Sequence, residues 1–533
     1  MGLRGDGDAL LAFLIAAAIA AIAPAALALV SGRFDVAFVR RDALALAPAA
    51  VLLAPLAVAD LPVDLAGLLL ALFVVARLAP SARDIVVAPS TPARTAFALA
   101  LYLALGAWGY VRMPAQGDQP HYILAAAAIV SGDLDQRRSY ADVPRYVSLT
   151  AQRETPEGIE GHVIEMGTGP RLIQNYGLPI AIAPGWALLG RVGVFLTMAL
   201  IGAATSLVTF LMLRDVFGAA RSSRVAWLIA TAFAPLMPLA TIAYPNILGA
   251  LLVVTAFRWL VTSPTPRPVL AGVAAGLTLL LTPRDGVAAI ALVVAAALWL
   301  RPRALAFVAG FGAAALASAL FHLVVYGAPV PYISYILNVR SPNIPVPDIV
   351  TLQPQSILPG MLFDRASGYA SFAPWVFVGA LGVAPLWSRS RSVSLAALAI
   401  VGATIAAVSV ISEWRGGWAP PGRYLAEVVP PWTLFVAAGL EAGKNVVARA
   451  ATYATVAWSA VVALLFAGMP PIAYDDRLAE WFARFLPFHP LAFLPLVARQ
   501  DVATTLATSL VLAAIVVGVT VLSARSRARI MDM

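Results

Sequence analysis

The sequence predicts an all-α, polytopic transmembrane protein, and composition is the first reason. Of its 533 residues, 61% are hydrophobic and only 12% are charged, and the mean hydropathy is +0.86. Apolar runs long enough to cross the roughly 30 Å hydrocarbon core of a bilayer recur along almost the whole chain. Little sequence remains for a soluble domain, so we expect the water-facing parts to be loops.

The positions of the apolar runs predict about 13 to 15 membrane spans. The candidate spans cover residues 8–30, 43–58, 62–78, 95–111, 192–213, 225–243, 246–262, 270–283, 286–300, 304–325, 373–387, 393–411, 428–440, 451–468 and 502–523. The first run is longer than a signal-peptide core, which indicates a retained span. We divide the chain into N-terminal helices (1–94), a core (95–440) and C-terminal helices (441–533).

Basic residues fall in alternate loops when these spans are counted in order. They are Arg33, Arg40, Arg41, Arg77, Arg83, Arg94, Arg214, Arg221, Arg224, Arg267, Arg301, Arg303, Arg389, Arg391, Lys444, Arg449, Arg525, Arg527 and Arg529. The positive-inside rule assigns such loops to the cytoplasm, with the N-terminus outside and the C-terminus inside. The net charge of +9 is therefore a topology signal, and we expect no nucleic-acid partner. The alanine-rich, lysine-poor composition is typical of a bacterial protein, so the predicted location is the inner membrane.

The remaining loops face outward, and the long ones are 112–177, 326–372 and 469–500. Long loops commonly carry function. Most of the unusual polar residues lie in these loops or in short outward ones. The chain contains no cysteine, which excludes disulfides, thiolate chemistry and cysteine-ligated metals. The sequence thus predicts one functional site, and this site faces the periplasm.

A short helix is predicted inside the first long loop. Asp118 precedes Gln119-Pro120 and an apolar stretch that ends at Ser131-Gly132. Proline in the first turn and glycine after the last turn are typical helix boundaries, and the position predicts a juxtamembrane helix. An isolated Asp in this position is more often an N-cap than a catalytic group, so both interpretations stay open here.

An ordered set of motifs extends from about residue 95 to 430. They are Gly117-Asp-Gln-Pro-His-Tyr122, Gly132-Asp-Leu-Asp135, Tyr176-Gly-Leu-Pro179, Tyr244-Pro-Asn246, Phe363-Asp-Arg-Ala-Ser-Gly368, Trp414-Arg-Gly-Gly-Trp418 and Gly422-Arg-Tyr424. In this set the chain resembles the GT-C superfamily of integral-membrane glycosyltransferases, near the protein O-mannosyltransferases and the lipid A aminoarabinose transferases. The resemblance implies a GT-C-type fold.

The chain departs from the family pattern at three positions. Gln119, Asn175 and Asn246 stand where the pattern has Glu, His and Glu. Each replacement removes a potential metal ligand, so no cofactor is predicted with certainty and a divalent metal stays an open question. The same replacements leave altered specificity or lost activity open.

The resemblance also implies a reaction. A hexosyl or pentosyl group would pass from a polyprenyl-phosphate donor to a lipid, glycan or protein acceptor at the outer face, with inversion at the anomeric carbon. In the family, the acidic residue at the start of the juxtamembrane helix is the catalytic base, which corresponds to Asp118. The departing phosphate needs guanidinium groups, and the candidates are Arg284, Arg365, Arg415 and Arg423. Each could equally contact lipid headgroups.

Further substrate-binding residues are predicted around this base. They are His121, Tyr122, Asp133, Asp135, Asn175, Asn246, Asp285, Asp364, Trp414 and Tyr424. The aromatic residues could stack on a sugar ring or anchor the chain at the membrane interface. His121 is expected to hydrogen-bond Asp118 or the substrate, whereas His322 receives no role.

Two other functions stay open. The first is a flippase for lipid-linked saccharides or another transporter, which would place charges near the bilayer midplane and show repeated halves. In this sequence the notable charges lie at span ends, and no halves are evident. The second is a catalytically inactive relative that binds polyprenyl lipid.

Overall fold

The computed structural model describes most of the chain. The described residues are 7–32, 36–55, 59–87, 91–112, 115, 117–141, 163–166, 168–329, 354–411, 414–415, 419–443, 445–470, 491, 493–494, 507, 509–515, 517–518 and 520. The helices are α1 (Gly7–Val30), α2 (Val36–Val51), α3 (Val63–Val87), α4 (Thr91–Arg112), α5 (Gln119–Ser131), α6 (Gln136–Ala141), α7 (Gly177–Phe217), α8 (Arg221–Ala232), α9 (Leu236–Leu239), α10 (Asn246–Phe257), α11 (Pro268–Leu277), α12 (Pro283–Trp299), α13 (Arg301–Tyr326), α14 (Pro354–Phe363), α15 (Tyr369–Phe372), α16 (Val378–Arg389), α17 (Arg391–Val408), α18 (Val429–Ala442) and α19 (Val446–Gly468).

Short irregular turns extend several of these helices. A π-helical turn, Arg258–Thr262, continues α10, and 3-10 turns at Thr278–Leu280, Pro374–Phe377 and Arg423–Val428 adjoin α11, α16 and α18. Within the described residues, one small sheet interrupts the helical architecture. Strands β1 (Val163–Met166) and β2 (Gly169–Leu172) pair antiparallel in the first long loop.

Seven helical segments of the described chain are long and apolar enough to cross a membrane. They are Gly7–Val30, Val63–Arg83, Gly177–Phe217, Arg301–Tyr326, Arg391–Val408, Arg423–Ala442 and Val446–Gly468. Two shorter apolar helical segments, Asn246–Thr262 and Pro268–Leu280, lie between them. The predicted helical, multi-spanning architecture is therefore confirmed. The larger predicted number of spans stays a prediction, because several apolar runs form shorter helices.

Glycine residues allow some of the helices to pack with their backbones in contact. A Cβ atom on Gly272 of α11 would overlap the Phe307 carbonyl of α13, and one on Gly382 of α16 would overlap the Phe435 carbonyl of α18. Small residues at such contacts are typical of helices that associate within a bilayer, where close packing replaces the hydrophobic drive.

Helix α7 reverses direction near its middle. Leu189 and Gly190 have non-helical backbone angles, and Gly190 has a φ of +57°. Gly185 and Gly193, on either side of the reversal, face each other so closely that neither could carry a Cβ atom. The first part is thus a short helix folded back on the second. The predicted span 192–213 corresponds to the second part.

The second part of α7 extends from Arg191 to Phe217 and rises about 1.5 Å per residue. Charged residues gather at its two ends. Beside its last turn, Asp215 pairs with Arg258 at 2.8 Å, and Arg389 pairs with Glu441 at 3.0 Å. We call this the basic end, because Arg214 and Arg389, from loops predicted to be cytoplasmic, lie here. The residues predicted to face outward gather at the opposite end, called here the polar end. Which compartment each end faces stays a prediction.

Candidate functional site

Asp118 lies at the polar end, and its carboxylate is held by side chains from distant parts of the chain. Arg423 Nη1 donates to Asp118 Oδ2 at 3.0 Å, and Gln174 Nε2 donates to Oδ1 at 3.4 Å. The Asp118 backbone N–H donates to the Tyr244 hydroxyl at 3.3 Å. The Asp118 side chain makes no capping hydrogen bond to α5, which removes the main support for the N-cap interpretation. It is 24% exposed, so a substrate can reach it.

The predicted helix after Asp118 is present as α5. Pro120 lies in its first turn, and Gly132, with a φ of +75°, ends it by donating its N–H to the last carbonyls. Residues Gln119 to Ala128 are all buried, including His121 and Tyr122. A helix lying on a membrane would expose one side, whereas this part of α5 is enclosed by protein. Asp118 is therefore the accessible end of a rigid, buried element.

Arginine and tyrosine side chains alternate beside the Asp118 carboxylate. The Arg423 guanidinium carbon lies 4.8 Å from the ring centroids of both Tyr244 and Tyr424, and Nη2 donates to the Tyr424 hydroxyl at 3.1 Å. Arg284 lies over the Tyr424 ring at 3.5 Å. Cation–π contacts fix the position of a guanidinium group while its N–H groups stay available. The site thus offers one cation paired with the Asp118 carboxylate, and a second cation on the ring of Tyr424.

The turn before Arg423 depends on a glycine. Gly422 has a φ of +74°, and a Cβ atom there would meet the Phe372 ring at 2.5 Å. The Tyr369 hydroxyl donates to the Gly422 carbonyl at 3.2 Å. Two motifs that are far apart in the sequence, around Gly368 and Gly422, are therefore packed together, and their contact positions Arg423.

A second acidic group lies close by, behind Arg284. Asn246 Nδ2 donates to Glu427 Oε1 at 2.8 Å, and the Thr282 hydroxyl donates to Asp285 Oδ2 at 3.0 Å. The Asp285 and Glu427 carboxyl groups lie within hydrogen-bonding range of each other and near Arg284. All three of Asn246, Asp285 and Glu427 are buried. Asn246 Oδ1 has no hydrogen-bond partner, and the remaining oxygens of Asp285 and Glu427 can satisfy each other only by sharing a proton.

The donor set around these oxygens bears on the open metal question. Carboxylate, amide and hydroxyl oxygens suit hard divalent cations. Among the described residues, however, no three His, Cys, Asp or Glu side chains form a metal-binding group. The described residues therefore provide oxygen donors near Arg284, but no group of three such side chains that could hold a metal ion.

Asn175 has both ends of its amide occupied by protein. Its Nδ2 donates to the Leu279 carbonyl at 3.3 Å, and its Oδ1 accepts from the Tyr176 N–H at 2.8 Å. His322 Nε2 lies 3.0 Å from the same oxygen. The left-handed backbone at Asn175, with φ at +76°, directs the neighbouring Gln174 toward Asp118. Asn175 and His322 thus stabilise the loop that carries Gln174.

Asp133 and Asp135 organise the start of α6. Asp133 accepts the Asp135 N–H at 3.0 Å and lies 3.2 Å from Arg138 Nη1, while Asp135 accepts the Arg137 N–H at 3.0 Å. The hydrogen bond from the Asp135 N–H, with a smaller effect of Arg138, holds the pKa of Asp133 below its ordinary value. These contacts are local, and their predicted role in binding an acceptor stays a prediction.

Four other predicted residues form a group that packs next to the Gly422 turn. Asp364 Oδ2 accepts the N–H groups of Ala366 and Ser367, and its Oδ1 lies 3.8 Å from Arg415 Nη2. Arg415 also lies 5.3 Å from the Trp414 ring. Arg365 directs Nε and Nη2 to the Leu494 carbonyl, at 3.1 and 2.9 Å. Arg365 and Arg415 therefore contact Leu494 and Asp364. By contrast, Arg423 contacts Asp118, and Arg284 contacts the neighbouring Tyr424 ring.

Sequence reasoning missed Gln174 and Glu427. Glu427 directly precedes the predicted span 428–440, but in the structure it lies inside the candidate span Arg423–Ala442, where an acidic residue is itself a sign of function. Gln174 carries no such sign, because its role depends on a loop conformation that begins at Asn175.

The chain was compared with protein-family models, with curated proteins and with solved structures. No protein-family model matches the chain, and no curated protein or solved structure matches it significantly.

Proposed function

We propose that this protein is a GT-C-type glycosyltransferase that moves a sugar from a polyprenyl-phosphate donor to an acceptor at the outer face of the bacterial inner membrane. The observation that carries the proposal is the accessible Asp118 carboxylate, held by Arg423 and Gln174 at the end of a buried helix. A carboxylate fixed beside two guanidinium groups suits a reaction in which one substrate loses a proton and the other releases a phosphate.

The proposed reaction is a direct displacement. The acceptor oxygen forms a bond to the anomeric carbon, and the bond from that carbon to the phosphate oxygen breaks. The electron pair of the broken bond stays on the lipid phosphate, and the acceptor proton passes to Asp118. Attack from the face opposite the phosphate inverts the anomeric centre.

The two arginines beside Asp118 serve the leaving group. Negative charge develops on the phosphate as the bond breaks, and oriented cations in a partly buried site stabilise such charge strongly. Arg423 contacts Asp118 directly, and Arg284 lies over the ring of Tyr424, which Arg423 also contacts. The same ring and that of Tyr244 are buried, and they hold the guanidinium groups in place.

The experiment that tests this function is mass spectrometry of envelope glycolipids and glycoproteins from a deletion strain and its parent. Loss of one defined sugar, restored by the wild-type gene and not by Asp118→Asn, supports the transferase and names its acceptor. A lipid-linked saccharide that accumulates on the cytoplasmic side supports a flippase instead. No difference in either fraction supports the inactive lipid-binding relative.

The predicted orientation has its own test, because the chain has no cysteine of its own. Single cysteines at Ser131 and Ser388, both exposed and at different ends, should react differently with a membrane-impermeant maleimide on intact spheroplasts. We expect Ser131→Cys to react and Ser388→Cys to react only after lysis. The opposite pattern would place Asp118 in the cytoplasm and rule out the proposed donor.

A further inference from the structure

A cleft lies close to Asp118 and is lined by the next residue, Gln119. Its walls are the end of α4 at Gly109 and Tyr110, the start of α5 at Gln119, the second part of α7 from Arg191, and the segment 241–243. The cavity volume is about 40 Å³. None of the groups assigned above to the transfer reaction lines it.

Gln119 presents an unsatisfied donor to this cleft. Its Oε1 accepts the Ala243 N–H at 3.2 Å, which fixes the orientation of the amide. The opposite atom, Nε2, is buried and has no hydrogen-bond partner, and the residue is only 6% exposed. A buried N–H group without an acceptor is unfavourable, so an oxygen bound in the cleft would stabilise the site.

Arg191 adds a positive charge to the same cleft. Its guanidinium lies 4.3 Å from the Tyr110 ring centroid and donates to the Tyr110 carbonyl at 3.1 Å, so it is held in place. Arg191 follows the reversal of α7, where Leu188 and Leu189 are 81% and 58% exposed. Exposed leucines beside an arginine are typical of the boundary between lipid tails and headgroups.

An apolar groove adjoins the cleft. It is lined by Leu105, Met237, Pro238, Ile242 and Phe466, among others, and shares Gly109, Thr241 and Ile242 with the cleft. A polar end that carries the Gln119 amide and the Arg191 cation thus continues into a mostly apolar groove. A molecule that fits both parts has an anionic oxygen at one end and an apolar chain at the other.

We propose that this cleft binds an anionic phospholipid, with a phosphate oxygen accepting from Gln119 Nε2 and paired with Arg191, and an acyl chain in the apolar groove. The site is separate from Asp118 and does not depend on the proposed transferase activity. Because Gln119 directly follows Asp118, a bound lipid would hold the start of α5 in its present position.

Native mass spectrometry of the purified full-length protein tests this proposal. The protein would be equilibrated with phosphatidylglycerol or phosphatidylcholine, and separately with inorganic phosphate. We expect one phosphatidylglycerol to be retained by wild-type protein, and at least tenfold weaker retention by Gln119→Glu, which keeps the size and replaces the donor with a negative charge. Arg191→Gln should weaken retention similarly, while Arg389→Gln at the basic end should not.

Each alternative result is informative. Equal retention by wild type and Gln119→Glu would overturn the proposal, provided that both proteins elute as the same folded species. Equal binding of phosphatidylcholine would overturn the anionic headgroup. Displacement of the lipid by millimolar inorganic phosphate alone would show a free-phosphate site. If Gln119→Glu does not fold, Arg191→Gln decides between the same outcomes.

Discussion

The two ends of this protein use charge in different ways. At the basic end, Asp215 pairs with Arg258 and Glu441 pairs with Arg389, so each of these carboxylates has its cation. At the polar end, the buried carboxyl groups of Asp285 and Glu427 face each other, and each has a buried oxygen that accepts no N–H group. Pairing at one end ties helices together. Two carboxyl groups that face each other at the other end need a shared proton or a ligand, and this is the end where we propose that binding occurs.

The largest expected effect comes from Asp118→Asn. Asn has nearly the same shape but is a very poor base, so we expect purified enzyme to lose about 10²- to 10⁴-fold in turnover. The matched control is Asp215→Asn, which also removes a carboxylate paired with arginine but lies at the basic end. We expect its turnover per folded molecule to equal wild type. Wild-type activity in Asp118→Asn would leave Asp133, Asp135 or Asp364 as the next candidate bases.

Arg423→Lys keeps the charge and loses the planar group that lies between two tyrosine rings. A lysine presents its donors from a single atom and cannot reproduce the planar fork that reaches Asp118 and Tyr424 through separate nitrogens, so we expect turnover to fall about 10²-fold, the effect of removing one transition-state donor. Arg258→Lys at the basic end serves as the control. Steady-state kinetics with a polyprenyl-phosphate sugar would measure both, and equal values would move the leaving-group role elsewhere.

Arg365→Lys should have a much smaller effect on catalysis. Arg365 holds the Leu494 carbonyl through two donors, and a lysine can retain only one of these hydrogen bonds. We expect a loss of about 1 kcal/mol in stability with turnover nearly unchanged. Thermal unfolding and initial rates would separate the two quantities. A loss of turnover without a loss of stability would return Arg365 to the phosphate site that the sequence predicted for it.

The smallest expected effect concerns Asp133. Its pKa is lowered in the folded protein, mainly by the hydrogen bond from Asp135, so its contribution to local stability is present above its unfolded pKa. That contribution is lost as the pH falls through the lowered folded pKa. The hydrogen-exchange protection factors of α6 amides, which are corrected for the intrinsic exchange rate at each pH, should fall over this range in wild type. In Asp133→Asn, which keeps the acceptor but cannot ionise, this fall should be absent.

The sequence predicted the helical class, the short helix at Gln119–Ser131 and the side of the protein on which most polar residues gather. Periodicity of apolar runs and parity of basic loops carry this information, because the bilayer imposes both. The pairing of Asp118 with Arg423, across 305 positions, has no such local signature. It depends on the left-handed turn at Gly422 and on α5 being enclosed by protein, and both are products of tertiary packing.

The glycine contact within α7 makes its two parts a single mechanical unit. Gly185 and Gly193 bring the two backbones together with no side chain between them that could adjust. Gln174, which reaches Asp118, lies three residues before this unit begins, and Arg191 lies inside it. The spacing between the cleft and the candidate base is therefore set by the backbone, so a displacement of either is transmitted to the other with little loss.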